Sequence, residues 1–110
     1  MTVIKRKDII ISIHAQKRAE KRANLRGSNL INLARKAYRY GIGVENSKWE
    51  MCEFIKRKYQ SEYRANNIKV YGHFVYIFKT NILLTVVDLP KYLWNDWKKY
   101  RDYLTEKGVI

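Results

Sequence analysis

Asn66-Asn67-Ile68-Lys69-Val70-Tyr71-Gly72-His73-Phe74-Val75-Tyr76-Ile77-Phe78-Lys79-Thr80-Asn81-Ile82-Leu83-Leu84-Thr85-Val86-Val87 decides the fold. The Asn pair is a turn signal, and beyond it the apolar pattern changes to a period of two. Residues 68–71, 74–78 and 82–87 read as strands, parted by tight turns at Gly72-His73 and Thr80-Asn81. Connections this short force antiparallel neighbours, so the stretch predicts a three-stranded meander. Tyr76 alternates with Val75 and Ile77 and so lies on one sheet face. The pattern leaves open whether that face is core or a platform for nucleic acid.

Upstream the reading is a strand and then helices. Residues 3–13 predict a strand, with Val3-Ile4 and Ile9-Ile10-Ile11 as its buried parts and Lys5, Arg6 and Lys7 suiting an edge. A helix follows over about residues 14–25, where Ala15, Ala19 and Ala23 form a small-residue stripe that permits close packing. Gly27 is a stop signal and Ser28 an N-cap for a second helix over 29–40, with Leu30, Ile31, Ala34, Ala37 and Tyr38 on its apolar face. Gly41 and Gly43 bracket a loop. Ser47-Lys48-Trp49-Glu50 then has the spacing of a capping box for a third helix carrying Cys52, Ile55, Tyr59 and Tyr63.

Downstream, Asp88-Leu89-Pro90 ends the sheet. Asp88 can cap, and Pro90 suits the first turn of a last helix. Leu93, Trp97, Tyr100 and Leu104 form that helix's apolar stripe, and Gly108 stops it. The order predicts an α+β fold: an N-terminal strand and helices packed on a three- to four-stranded antiparallel sheet, with an added C-terminal helix. One domain is expected over residues 1–110, with a core at 8–90 and a helical extension at 91–110.

Lys and Arg total 23 against 10 acidic residues, a net charge of +13 on 110 residues. Such an excess predicts an anionic partner: nucleic acid first, an anionic membrane surface second. No stretch approaches the ~20 apolar residues that span a bilayer. The charged residues 1–7 are followed by no suitable apolar region and cleavage site, so a cytoplasmic protein is expected. Cys52 is the only cysteine, and with only two histidines, His14 and His73, neither a disulfide nor a zinc site is expected. Gly-rich phosphate loops and paired carboxylates are lacking, so no cofactor or metal is expected.

The segment Ser12 to Arg22 carries the chemistry. On a helix His14, Arg18 and Arg22 fall at i, i+4 and i+8 and line one face. An imidazole beside two guanidiniums joins a proton-transfer group to two anion clamps, which suits work on a phosphodiester. The plainer alternative is a helix start at His14 and a solvated basic face. Lys17, Lys21 and Arg26 extend that face as candidate nucleic-acid contacts.

His14-Ala15, Arg18 and Arg22, then Phe74-Val75-Tyr76-Ile77-Phe78, then Leu83-Leu84-Thr85-Val86 together resemble the Barnase–EndoU–colicin–RelE-like nuclease superfamily, and in particular its small toxin and phage-type domains. The resemblance covers residues 8–90. It implies a metal-independent endoribonuclease in which a 2′-hydroxyl attacks the adjacent phosphate and leaves a cyclic phosphate. On that reading His14 serves as base or acid, Arg18 and Arg22 clamp the phosphate, and Thr85 hydrogen-bonds it. Tyr76 and Lys79 are second-tier contacts. The alternative is a non-catalytic module on the same fold, binding RNA or a protein, such as a phage inhibitor of host or defence machinery. The C-terminal helix, with Tyr92, Trp94, Trp97, Tyr100 and Tyr103, suits a protein inhibitor, a host protein or a second copy as partner.

Overall fold

A computed structural model describes residues 2–62 and 64–110. Its strands are β1 (Ile4–Arg6), β2 (Ile9–Ile11), β3 (Asn67–Tyr71), β4 (Phe74–Lys79) and β5 (Ile82–Asp88), and its helices α1 (Ile13–Ala23), α2 (Gly27–Tyr40), α3 (Trp49–Ser61) and α4 (Trp94–Glu106). The fold is α+β. The five strands form one sheet in the order β1-β2-β5-β4-β3, antiparallel except where β2 runs parallel to β5. The strand expected over 3–13 is a hairpin instead, because Lys7 and Asp8 turn the chain back on itself. That adds a fifth strand and leaves the Lys5–Arg6 charges on the sheet edge.

The sheet is covered on both faces. Successive β4 residues point to opposite sides. Tyr76 and Phe78 join Ile9, Ile11, Leu83 and Val86 under the alanines of α1 and α2. Val75 and Ile77 join Ile68 and Val70 under Met51, Phe54 and Ile55 of α3, Trp97 of α4 and Leu93 just before it. The C-terminal helix is therefore part of the second core layer. Cys52 is only half-buried, and α3 packs through Met51, Phe54 and Ile55. Tyr59 touches the sheet, its hydroxyl accepting from the Ile68 N–H at 2.8 Å, whereas Tyr63 lies outside the described residues.

Helix ends depart from the expected caps. Ser12 caps α1, its Oγ accepting from the Ala15 N–H at 3.0 Å, worth about 1 kcal/mol. Asn24, in the left-handed conformation at φ 53°, ends α1 three residues before Gly27, and Ser28 lies inside α2. The capping box at 47–50 does not form. Ser47 donates to the Val44 carbonyl, closing the 3-10 turn Val44–Asn46, and α3 starts without a side-chain cap. Pro90 precedes a second 3-10 turn, Lys91–Leu93, which leads into α4.

Gly41 lets the chain pass from α2 around the β3 edge, where Ile42 bridges Val70. A Cβ on Gly41 would sit 2.6 Å from the Ala37 carbonyl oxygen and 2.8 Å from Lys69 Cβ. Gly41→Ala is expected to cost about 1–3 kcal/mol, read from urea unfolding, because backbone on both sides must give way.

Asp8, in the β1–β2 turn, binds Arg35 at 3.0 Å and Arg39 at 2.7 Å, tying the hairpin to α2. Burial acts to raise its pKa, but the hydrogen bonds from Arg35 and Arg39 outweigh burial and hold the carboxyl below its ordinary value. A depressed carboxylate pKa means stability present above the unfolded value, about 4, and lost as pH falls through the folded value. Thermal unfolding against pH should show that loss below about pH 4, and Asp8→Asn should reduce it.

Candidate nucleic-acid interface

Eleven basic residues stand against two acidic ones, Asp8 and Glu20, in residues 1–40, so this third of the chain holds nine of the thirteen net charges. Because α1 and α2 share one sheet face, the charge collects there and along the β1 edge. The cause lies in how α1 packs. Ala15 and Ala19 are fully buried against the sheet, which brings the helix backbone close and leaves its long side chains pointing outward.

At 100° per residue His14, Lys17, Arg18, Lys21 and Arg22 fall within an arc of about 140° on α1. His14, Lys17, Lys21 and Arg22 are exposed and Arg18 is half-buried. Among the described residues none of these four cations has a carboxylate partner. Arg22 reaches over β5 and donates to the Val86 carbonyl at 3.1 Å. Arg26 lies beyond the helix and pairs with Glu20 at 3.4 Å, both side chains well exposed. On α2, Lys36 shares a shallow hollow of about 280 Å³ with Arg35, Arg39, Asn32 and Tyr40. There Asp8 already neutralises part of the charge.

The residues expected to complete a nuclease site do not meet this arc. Thr85, only 8 % exposed, pairs directly with Ile77 and so shares the opposite sheet face, beneath the α3–α4 layer. A bulge is the reason. Leu83 pairs with Phe78 and Thr85 with Ile77, which leaves Leu84 as an extra residue on β5. Strict alternation from Leu83 would have turned Thr85 toward α1, and the extra residue flips it. Tyr76 is on the α1 side but is core, 1 % exposed. Burial, with the Tyr71 phenol adding to it, pushes its pKa up, so it stays neutral and out of reach of an RNA backbone. Lys79 is exposed at the end of β4. His73 stacks on Trp94 at 3.9 Å between ring centres, nearly parallel. Among the described residues no three His, Cys, Asp or Glu side chains come together as metal ligands.

The aromatic helix α4 is used mainly for packing. Trp97 lies 4.7 Å from the Tyr71 ring, and the Trp94 indole donates to the Leu89 carbonyl at 2.9 Å. Tyr92 and Tyr103 remain exposed. The exposed aromatic missed by periodicity is Trp49, 86 % exposed at the start of α3. The signal was there: Trp49 is off the Met51-Phe54-Ile55 stripe and stands among polar residues. It borders a groove of about 630 Å³ between the start of α3 and α4.

Comparison with protein-family models, with curated proteins and with solved structures finds no significant match. No helix among the described residues is long and apolar enough to cross a membrane.

Trp49 has φ 48°, a left-handed backbone that costs a bulky residue about 1–2 kcal/mol. Its side chain makes little packing that would be lost. Trp49→Gly is therefore expected to leave the melting temperature unchanged or raise it, whereas Trp97→Ala should cost about 3–5 kcal/mol. Thermal melts of the two variants test this contrast.

Proposed function

We propose that the chain is a cytoplasmic RNA-binding module whose contact surface is the outer face of α1. The observation that carries this is the set Lys17, Arg18, Lys21 and Arg22, carboxylate-free among the described residues and presented together on α1, within the forty residues that hold nine of the thirteen net charges. Surface cations that no carboxylate neutralises keep their charge for phosphates, and each phosphate contact releases condensed counterions. The resemblance of His14-Ala15, Arg18 and Arg22 to the Barnase–EndoU–colicin–RelE-like superfamily points to the same substrate.

A metal-independent endoribonuclease is the second reading, favoured by His14 standing exposed within the same arc as Arg18 and Arg22. Transesterification needs a base, an acid and stabilisation of the phosphorane charge. The arc offers one imidazole and several cations. Guanidiniums hold their protons, so a second proton-transfer group is lacking there, and binding without turnover is the better-supported reading.

The test is binding and cleavage of a mixed RNA pool in EDTA, with His14→Ala and Lys17→Gln/Lys21→Gln beside the parent chain. Four phosphate contacts on single strands predict affinity falling roughly 50-fold between about 50 and 200 mM salt, with the double variant losing about half of that slope. Salt-independent binding would overturn the proposal. Cleavage that leaves cyclic phosphate ends and disappears in His14→Ala would replace it with the ribonuclease reading.

A further inference from the structure

The groove between α3 and α4 lies on the sheet face away from α1. Trp49 and Tyr103 are exposed at it, and Tyr100 sits between Tyr103 and the core residue Trp97, 6.3 Å from each ring. The Tyr100 and Tyr103 planes are inclined by 28°. Asn46 donates to the Tyr100 hydroxyl at 2.7 Å and fixes that ring. Lys48 and Lys99 stand exposed along the groove, and Asp96 is half-buried in its wall.

Trp49 gains nothing for the fold by this arrangement. It adopts a left-handed backbone conformation and leaves its indole in water. Strained backbone and unburied aromatic surface together mark positions kept for a ligand. The groove volume, about 630 Å³, is that of a small-molecule site rather than of a broad protein contact.

We propose that this groove takes unpaired bases of a single-stranded nucleic acid, stacked on Trp49 and Tyr103 with the backbone phosphates on Lys48 and Lys99. Flat apolar rings beside cations are the recurrent chemistry of single-strand binding. Asp96 sets the direction of entry. Its carboxylate repels phosphate and accepts from an exocyclic amino group, so the base points inward and the phosphate stays at the lysines. The inference rests on the RNA-binding reading of α1 and adds a contact that senses bases, where α1 senses only charge. Because the two surfaces lie on opposite sheet faces, one strand engages both only by passing around the sheet edge.

The experiment is titration with an oligocytidylate of about ten nucleotides, and with an abasic strand of the same length, followed by tryptophan fluorescence and by anisotropy of labelled strands. Trp97 is buried and Trp94 is stacked on His73, so Trp49 is the indole free to be quenched. The expected result is quenching by oligocytidylate and none by the abasic strand. Trp49→Ala and Tyr103→Ala should each weaken oligocytidylate binding roughly tenfold and leave abasic binding unchanged. Lys17→Gln/Lys21→Gln should weaken both strands alike. Both groove residues are exposed, so the variants are expected to fold, which a parent-like circular dichroism spectrum checks. Parent-like oligocytidylate affinity in Trp49→Ala and Tyr103→Ala, or binding without quenching, would overturn the groove site while leaving the α1 reading standing. No binding of either strand at low salt would overturn both. A sedimentation mass of two chains that returns to one in Trp49→Ala would make the groove a self-association surface and overturn the nucleic-acid proposal.

Discussion

β4 is apolar on both of its faces, and the rest of the molecule follows from covering it twice. Val75 and Ile77 point one way, Tyr76 and Phe78 the other, and all four are at most 1 % exposed. A strand at the rim of a two-layer fold cannot satisfy this; it needs neighbours on both edges and helices on both sides. β3 and β5 supply the edges. Two helices from the N-terminal part cover Tyr76 and Phe78, and two from either side of the meander in sequence cover Val75 and Ile77. The parallel pairing of β2 with β5 brings the N-terminal hairpin and α1 to their places, with the Ile10 N–H donating to the Asn81 carbonyl and the Ser12 N–H to Leu83.

That double cover sorts the surface chemistry. The layer with α1 and α2 is built on alanines, so its outer surface is crowded with basic side chains. Within it Asp8 holds Arg35 and Arg39, while the α1 cations stay without carboxylates among the described residues. The layer with α3 and α4 is built on large apolar and aromatic groups. Its rim leaves Trp49, Tyr100 and Tyr103 around a concavity with mixed charge. One face is suited to phosphate and the other to flat rings, and the sheet separates them.

Much of the fold was legible along the chain because its signals are local. The turns at Gly72-His73 and Thr80-Asn81 appear where their residues put them, and both Gly72 and Thr80 take positive φ. Of the stripe read as Leu93, Trp97, Tyr100 and Leu104, Leu93, Trp97 and Leu104 are buried as the spacing implies, Leu93 in the 3-10 turn before α4, whereas Tyr100 is half-buried. The candidate site was legible only in part. The α1 arc follows from helical period alone. Thr85 and Tyr76 were beyond reach of that logic, since one depends on an extra residue in β5 and the other on which face the helices cover. Ser47 illustrates the same limit at a helix end. Its spacing to Glu50 fits a capping box, but the 3-10 turn before it claims its hydroxyl.

By itself the sequence determined an α+β chain, a meander, a basic α1 face and a last helix with one apolar stripe. Each of these depends on residue type and short-range period, which act within a few residues. Only the tertiary structure decided that Leu84 bulges, that Thr85 turns away from α1, and that Trp49 stands exposed over a groove rather than in the core. Those outcomes are set by strand register and by which layers meet, and both couple residues that the chain holds far apart.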